Sequence, residues 1–388
     1  ATEGFIANGE PALAAEASSM LGRAFFYLGD LAQTRATRIR AAELARQEPL
    51  STPTARALAR GARQLQIVEG DQAGAIEAAS EALEFANESG DERLAVDALN
   101  TIGLARVHLG DEAGIEDLEE AVRRAEAAAA VSEQGTALNN LANCLWQVGR
   151  LEEGSARIAE AGAHVTRYGN TAGIVWNLAE EVYDRDLHGD LDGVLDAADR
   201  YLSSEAAETY QTRPLLVTRA RAFLARDQVA DAVADAERAV AGLREAGPDA
   251  QTSSYILATA SRCFRVAGRR DESEALLAEA LDAPAHELNY DLTLYLIELD
   301  RANDYLALTE GERGFRWLAA GRAAASGELV RASELYGKIG TRFAEAWAAL
   351  LAAEGGDTSR LESALAYFEE QRATPYVQRC RALMQASA

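Results

Sequence analysis

The hydrophobic pattern between Ala137 and Ala163 predicts a pair of helices. Leu138, Leu141 and Leu145 recur at helical spacing, and the same spacing resumes after Gly149. A glycine can take the left-handed conformation that ends a helix, because it has no Cβ that would clash. The stretch therefore predicts two antiparallel helices joined by a tight turn, an αα-hairpin. One such hairpin cannot bury its apolar face alone and needs further copies beside it.

The same turn recurs along the chain at a spacing of about 40 residues, within the range of helical repeat proteins. The helix after each turn begins near an Asp, Glu or Gln, which suits the N-terminus of a helix. The predicted turns are Gly29-Asp30, Gly70-Asp71, Gly110-Asp111, Gly149-Arg150, Gly189-Asp190, Arg226-Asp227 and Gly268-Arg269. Repetition of this kind is typical of solenoids, in which stacked hairpins bury a continuous core.

We therefore predict an all-α fold, a right-handed superhelical solenoid of αα-hairpins. Residues 1–283 should hold seven hairpins, which span 10–48, 53–89, 92–129, 131–168, 171–204, 207–246 and 249–283. Residues 284–388 should add irregular helical repeats and a capping helix that continue the same solenoid. There we expect a long apolar helix over 291–305, helices over 313–326 and 329–339, and a last hairpin over 343–354 and 359–372.

Short motifs in two of the repeats resemble the tetratricopeptide pattern. The first repeat carries Leu21-Gly22 and Gly29-Asp30-Leu31 with Ala41, and the third carries Ile102-Gly103 and Gly110-Asp111. The resemblance implies tetratricopeptide-like repeats with a period somewhat longer than the usual ~34 residues.

A second resemblance lies near the C-terminus, in Arg331–Tyr336, Ile339-Gly340, Leu365–Phe368 and Ala373–Tyr376. This segment is similar to the closing part of multidomain bacterial signalling ATPases, either linked to a class III adenylate/guanylate cyclase or acting as LuxR-type transcriptional regulators. The resemblance implies a sensor and assembly tail, with an ATPase, cyclase or DNA-binding domain elsewhere in the same polypeptide. Because the chain lacks an initiator Met, we expect it to be a fragment of such a protein.

The charge balance limits the partners that the chain can have. It carries 62 acidic and 38 basic residues, a formal net charge of −24. This excess argues against direct nucleic-acid binding and against binding to anionic membranes. The three cysteines are widely separated and form no CxxC pair, and no apolar run is long enough to span a bilayer. We therefore expect a reduced, cytoplasmic protein.

An arginine-rich stretch interrupts the acidity between Arg23 and Arg63, where eight arginines face three acidic residues. It is either a docking patch for an acidic partner or neighbouring domain, represented by Arg35, Arg38 and Arg40, or a solvated surface of the first repeat.

The sequence contains no recognisable catalytic constellation. It lacks the GxxxxGK[ST] phosphate loop and the HExxH zinc motif, and its four histidines are far apart. Adjacent acid pairs such as Glu119-Glu120 diverge on a helix surface. We therefore predict no enzyme activity, no metal and no cofactor for this chain.

The remaining candidate is the concave face of the superhelix, which the first helices of the hairpins should line. Asn can bond to an extended peptide backbone, Trp offers stacking area, and Arg can clamp a carboxylate or phosphate. The predicted groove residues are Asn100, Asn139, Asn143, Trp146, Trp176, Asn177, Tyr183, Arg221, Arg262 and Arg265. The alternative is that these side chains pack between repeats.

Two functions follow from these observations. The first is a non-catalytic regulatory module that binds a protein segment or a small effector in the groove. The alternative is a structural scaffold for self-association or intramolecular docking, without a small ligand.

Overall fold

The computed structural model describes residues 1–204, 209–283, 290–312 and 314–386, with the side chain of residue 290 excepted. All regular structure in these ranges is helical, which confirms the all-α prediction for the described part of the chain. A π-helical turn, Leu65–Glu69, continues α4. The helices are α1 (Thr2–Ala7), α2 (Pro11–Tyr27), α3 (Leu31–Ala45), α4 (Thr52–Gln64), α5 (Gln72–Ser89), α6 (Glu92–His108), α7 (Gly114–Ala127), α8 (Val131–Gln147), α9 (Leu151–Arg167), α10 (Thr171–His188), α11 (Leu191–Leu202), α12 (Thr212–Ala225), α13 (Val229–Ala246), α14 (Ser253–Val266), α15 (Arg270–Asp282), α16 (Tyr290–Glu298), α17 (Ala302–Leu308), α18 (Arg316–Ala325), α19 (Leu329–Ile339), α20 (Arg342–Glu354), α21 (Leu361–Glu370) and α22 (Thr374–Ala386).

Consecutive helices pair as antiparallel hairpins, from α2 with α3 to α14 with α15, and each pair packs on the next. The predicted solenoid of αα-hairpins is confirmed. The division of the chain at residue 283 stays a prediction, and residues 284–289 at that boundary lie outside the described residues.

The hairpin turns have the predicted backbone chemistry. Six turn glycines have φ between 74° and 81°, and at the remaining turn Asp227 takes the left-handed conformation with φ 65°. At three of these turns the aspartate that follows the glycine caps the next helix by accepting a backbone N–H three residues later. This bond is 3.0 Å long at Asp30, 2.8 Å at Asp71 and 2.9 Å at Asp190.

The predicted single helix over 291–305 is wrong. The helix that includes residue 291 ends at Glu298, and a separate helix begins at Ala302. Asp300 between them has φ 57°, and the Arg301 N–H turns back to the Leu296 carbonyl at 2.8 Å. This backbone bond closes the helix as a glycine would, although the sequence contains no glycine there. Arg313, the predicted start of the next helix, lies outside the described residues, and that helix begins at Arg316.

Apolar packing is uneven along the solenoid. One large core runs continuously from α8 to α22 and includes the aromatic side chains of Tyr201, Trp347 and Phe368. The hairpins before α8 contain several smaller clusters, and alanines predominate in three of them. Small side chains let neighbouring helices approach closely, but each buries little apolar area. Among the described helices, none combines the length and the apolar composition that crossing a bilayer requires.

The superhelix coils tightly enough for its successive turns to touch. The Tyr210 N–H donates to the Tyr27 carbonyl at 3.1 Å, and the Ala250 N–H donates to the Val68 carbonyl at 3.2 Å. Three side chains make equivalent bonds further along: Trp317 Nε1 to the Trp146 carbonyl at 2.8 Å, Arg316 Nη1 to the Gly149 carbonyl at 3.1 Å, and the Tyr367 hydroxyl to the Gly189 carbonyl at 2.6 Å. The accepting carbonyls lie at the C-terminal ends of first helices, where an α-helix leaves its carbonyls without intrahelical partners.

Two glycines allow the closest helix contact in the third hairpin. A Cβ added to Gly103 of α6 would lie 2.6 Å from the Gly114 carbonyl oxygen, and one added to Gly114 would lie 2.3 Å from the Gly103 carbonyl oxygen. The backbones of α6 and α7 therefore touch, and a side chain at either position would force them apart.

We expect Gly103→Ala to lower the free energy of unfolding by about 1–3 kcal/mol, because the added methyl group overpacks against backbone atoms. Gly61→Ala is the matched control. Gly61 lies inside α4, and a Cβ there would meet no atom within 4 Å. That variant should gain about 0.4–1 kcal/mol from the lower entropy of its unfolded chain. Urea denaturation followed by circular dichroism measures both, and equal effects of the two changes would contradict the contact.

We expect Tyr367→Phe to lower the free energy of unfolding by about 1–3 kcal/mol, because the buried Gly189 carbonyl then loses its hydroxyl donor. Tyr168→Phe is the control, since the Tyr168 side chain is exposed and should tolerate the loss of its hydroxyl. Thermal unfolding of the two variants beside the parent checks this. A Tyr367→Phe protein as stable as the parent would show that contacts between superhelical turns contribute little.

Candidate binding site

The first helices of five consecutive hairpins, α2, α4, α6, α8 and α10, enclose a cavity of about 140 Å³, which we call the ring cavity. Its lining follows helical spacing; on α4, for example, it includes Arg60, Arg63 and Gln64, and Ile67 continues this face on the π-helical turn. The superhelix curves so strongly that α10 returns to α2. The ring of Trp176 meets that of Tyr27 edge to face, with centroids 5.7 Å apart.

Charged side chains of both signs line the ring cavity, namely Arg23, Arg60 and Arg63 with Asp97 and Glu133. Arg60 has a carboxylate of its own, since Nη1 lies 3.5 Å from Oε1 of Glu16. Among the described residues, neither the Arg63 guanidinium nor the Asp97 carboxylate has a hydrogen-bond or ion-pair partner. The cavity therefore holds a positive and a negative group that the folded chain leaves unpaired.

The pKa values of Asp97 and Arg63 are shifted because both groups are buried in the ring cavity. Burial raises the pKa of the Asp97 carboxyl and the negative charge of Glu133 raises it further, while the positive charge of Arg63 acts in the opposite direction. Burial lowers the pKa of the Arg63 guanidinium, and the negative charge of Asp97 offsets part of this effect. Each ionised form has lost hydration and has gained no direct contact with an opposite charge.

The carboxamides of the ring cavity are partly committed to packing. The amide nitrogen of Asn139 donates to Glu180 Oε1 at 3.2 Å, and that of Asn177 donates to the Ile158 carbonyl at 3.1 Å. Asn140 donates to the amide oxygen of Asn100 at 3.1 Å, so Asn100 lies buried behind the cavity wall.

Gln64 differs from the asparagines. Its side chain is 7% exposed, and its Oε1 accepts no hydrogen bond from any described residue. This oxygen is itself inaccessible to solvent and lies against Gly22 of α2, so it belongs to the packing behind the cavity wall.

An aromatic wall closes one side of the ring cavity. Phe26, Tyr27 and Trp176 all line it. Trp176 is held in place from behind, because its ring stacks on that of Tyr210 at 6.4 Å and its Nε1 donates to Glu180 Oε1 at 2.9 Å. This wall offers a fixed apolar surface beside the charged groups.

Four predicted groove residues lie in a larger, neighbouring cavity of about 870 Å³ along the superhelix axis, which we call the axial cavity. Asn143 is half-buried in its wall, and its amide nitrogen donates to the Asn139 carbonyl at 3.0 Å. Trp146 is buried, and the Tyr183 hydroxyl donates to Gln211 Oε1 at 3.3 Å. Arg221 forms an ion pair with Asp186, so its charge is already neutralised within the chain.

The last two predicted groove residues lie elsewhere, in a cavity of about 630 Å³ near the C-terminal helices. Arg262 Nη1 lies 2.9 Å from Asp291 Oδ1, and its guanidinium sits 4.0 Å above the Trp347 ring. Arg265 Nη1 lies 3.1 Å from Glu274 Oε1. The structure thus distributes nine of the ten predicted groove residues among three cavities and leaves Asn100 behind the wall of one of them.

The predicted docking patch forms ion pairs within the chain. Arg35 Nε lies 3.1 Å and Arg38 Nη2 3.7 Å from Glu69 Oε1, and Arg40 Nη2 lies 2.6 Å from Glu3 Oε1. Arg35 also donates to the Pro248 carbonyl in the next superhelical turn. These contacts join parts of one chain, and docking of a partner on this surface stays a prediction.

Sequence reasoning missed Arg63, Asp97, Gln64 and Glu133. The available signal was polar residues spaced three or four apart on the faces of first helices, as in Arg60, Arg63 and Gln64. The arginine-rich stretch between Arg23 and Arg63 suggested a docking patch on the outer surface. In the structure, Arg23, Arg60 and Arg63 instead line the ring cavity.

Comparison with known proteins gives the fold. No family model matches the chain, and no curated protein is similar to it in sequence. Among solved structures, a Rap protein complexed with competence and sporulation factor is 14% identical, with a TM-score of 0.54 over 76% of this chain and 77% of that chain. The Rap conjugation gene regulator of the plasmid pLS20, in complex with the Phr* peptide, is 11% identical, with a TM-score of 0.49 over 96% of this chain and 98% of that chain. At 14% identity, the likeness to the first of these structures shows the fold alone, a tetratricopeptide-like helical repeat.

We expect Asp97→Asn to raise the stability of the ligand-free protein at neutral pH. Because the folded-state pKa of Asp97 is raised above its ordinary value of 3.8, the parent loses stability as pH rises through this interval. Below the ordinary value the carboxyl is neutral in both states, and the difference between variant and parent should vanish. Denaturant unfolding at several pH values between acid and neutral measures this dependence.

Asp111→Asn provides the contrasting control. Hydrogen bonds from Arg106 and the Ala113 N–H lower the pKa of Asp111, so its ionised form favours the fold. This variant should be less stable than the parent at neutral pH, and the difference should shrink as pH falls through the folded-state pKa. The same sign for both variants would contradict the assignment of Asp97 as an unpaired cavity carboxylate.

Proposed function

We propose that this chain is a non-catalytic binding module of a multidomain signal-transduction protein. It holds a segment of a partner protein or a small effector on the concave side of the superhelix. The observation that carries this proposal is the ring cavity, where Arg63 and Asp97 lie unpaired beside a fixed aromatic wall. Unpaired charges in a cavity cost stability, and a ligand that pairs with them recovers that loss.

The axial cavity adds room for a larger partner. Its volume of about 870 Å³ falls within the range of ~300–1,000 Å³ typical of ligand pockets. A peptide segment there would meet polar groups at Asn143 and Tyr183 and apolar area at Trp146. The Rap structure of the same fold was determined as a complex with competence and sporulation factor, which makes a bound factor the first possibility to test.

Contacts between superhelical turns can transmit the binding of a ligand in the ring cavity to other parts of the solenoid. Tyr27 and Trp176 line the ring cavity, and both also touch Tyr210 or its backbone in the following turn. A ligand that shifts the Trp176 ring would alter its stack on Tyr210. Such coupling requires that the ligand bind one curvature of the superhelix more tightly than another.

A display selection of random peptides on the full chain tests the binding function. We expect a recurrent motif among the selected peptides, and at least tenfold weaker binding of those peptides to Asn143→Ala. Asn143 faces the axial cavity, and its own bond reaches only the preceding turn of α8, so its loss should leave the fold intact. Asn8→Ala, at an exposed position near the N-terminus, is the matched control.

Two results of that selection would contradict the proposal for a peptide segment. One is a failure to enrich any motif, and the other is equal binding of the selected peptides to Asn143→Ala and to Asn8→Ala. Circular dichroism of each variant confirms that loss of binding is not loss of fold.

The signalling context has its own test, which is the sequence upstream of Ala1 in the parent reading frame. A phosphate-loop ATPase there, with a cyclase or DNA-binding domain in the same polypeptide, would support the proposal. A start codon directly before Ala1 would remove it.

A further inference from the structure

The volume of the ring cavity limits what it can hold. At about 140 Å³ it is smaller than most ligand pockets and close to an engineered cavity of ~150 Å³ that takes benzene. A molecule of roughly six to nine non-hydrogen atoms fits this space, whereas an extended peptide would place no more than one side chain in it.

The charges in the ring cavity call for a ligand with both signs. Arg23 and Arg63 attract an anionic group, and Asp97 and Glu133 attract a cationic one. A simple anion would leave the carboxylates of Asp97 and Glu133 unneutralised. A simple cation would leave the guanidinium groups of Arg23 and Arg63 unneutralised. A molecule with a carboxylate and an ammonium group a few bonds apart satisfies both pairs.

Hydrogen-bonding capacity points the same way. An ammonium group has three donors and a carboxylate has about four acceptor sites. The cavity offers the ammonium group the carboxylates of Asp97 and Glu133. It offers the carboxylate the planar donor forks of Arg23 and Arg63, which match carboxylate geometry.

Besides its carboxylate and ammonium groups, the ligand has a side chain, and the aromatic wall determines which kind of side chain fits. Phe26 is buried, and Trp176 is fixed by its stack on Tyr210 and by its bond to Glu180. A small aliphatic side chain packs on such a surface, while a further charged group would lose hydration there without gaining a partner.

We propose that the ring cavity binds a small aliphatic amino acid as its zwitterion, with the carboxylate at Arg23 and Arg63 and the ammonium group at Asp97 and Glu133. This inference rests on the proposed function and names the class of effector that the site takes. The axial cavity remains the place for a partner segment.

Titration calorimetry of the full chain with L-alanine, L-valine and L-leucine tests the proposal. We expect saturable binding of at least one of them. Two derivatives of valine each remove one charge: N-acetylvaline lacks the ammonium group, and valinamide lacks the carboxylate. Each should bind at least tenfold more weakly than valine, because one pair of cavity charges is then left unneutralised.

Two variants assign the charges to residues. Asp97→Asn should bind valine at least tenfold more weakly and should lose its discrimination against N-acetylvaline, because the partner of the ammonium group is gone. Arg63→Gln should likewise lose its discrimination against valinamide. Asp196→Asn and Arg123→Gln are matched controls at side chains that are 82% and 64% exposed, and both should bind as the parent does. Since Asp97→Asn is expected to be at least as stable as the parent, its loss of binding cannot be ascribed to unfolding.

The outcomes separate this inference from the proposed function. Absence of saturable binding by all three amino acids, or equal binding of valine and N-acetylvaline by the parent, overturns the zwitterion site. If selected peptides still bind and Asn143→Ala still weakens them, the binding function stands without it. If valine binds but no peptide is selected, the inference is supported and the function narrows to a small effector.

Discussion

The carbonyl groups at the C-terminal ends of the first helices are the constraint on which this structure depends. An α-helix leaves these carbonyls without intrahelical partners, and a solenoid exposes one set of them at every hairpin turn. Here the next superhelical turn supplies donors, from backbone N–H groups and from the side chains of Trp317, Arg316 and Tyr367. The repeats therefore contact more than their neighbours in sequence, and the pitch of the superhelix is fixed by hydrogen bonds as well as by packing within each turn.

That pitch creates the ring cavity. If five first helices made a shallower curve, the Arg and Asp side chains of α4 and α6 would face an open, hydrated groove. Because α10 returns to α2, with Trp176 against Tyr27, the same side chains are taken out of bulk water without gaining partners. The altered pKa values of Asp97 and Arg63 are thus a consequence of the superhelical geometry, and not of anything in their immediate sequence.

This explains what the sequence could and could not predict. Hairpin turns depend on local chemistry, so the Gly-Asp pairs located them correctly, and the all-α solenoid followed. Asp300 was missed because an aspartate in the left-handed conformation is uncommon and gives no pattern. Hydrogen bonds between turns join residues separated by 167 to 213 positions, and no local period encodes them. The groove prediction selected residue types suited to binding, but Asn100 and Arg262 proved buried and bonded within the chain, whereas Arg63 and Asp97 required knowledge of the curvature.

The unpaired charges of the ring cavity lower the stability of the folded chain, and this cost is a reason to regard the cavity as functional. Most of its other inward-facing charges are paired, including Arg221 with Asp186 and Arg262 with Asp291. An asparagine at position 97 would avoid the loss of carboxylate hydration and would keep nearly the same shape. Proteins tend to break such local rules at sites where a ligand supplies the missing interaction. The unpaired charges lie on α4 and α6, which share small clusters rich in alanine, and a ligand bound there would stabilise the folded hairpins that form the cavity.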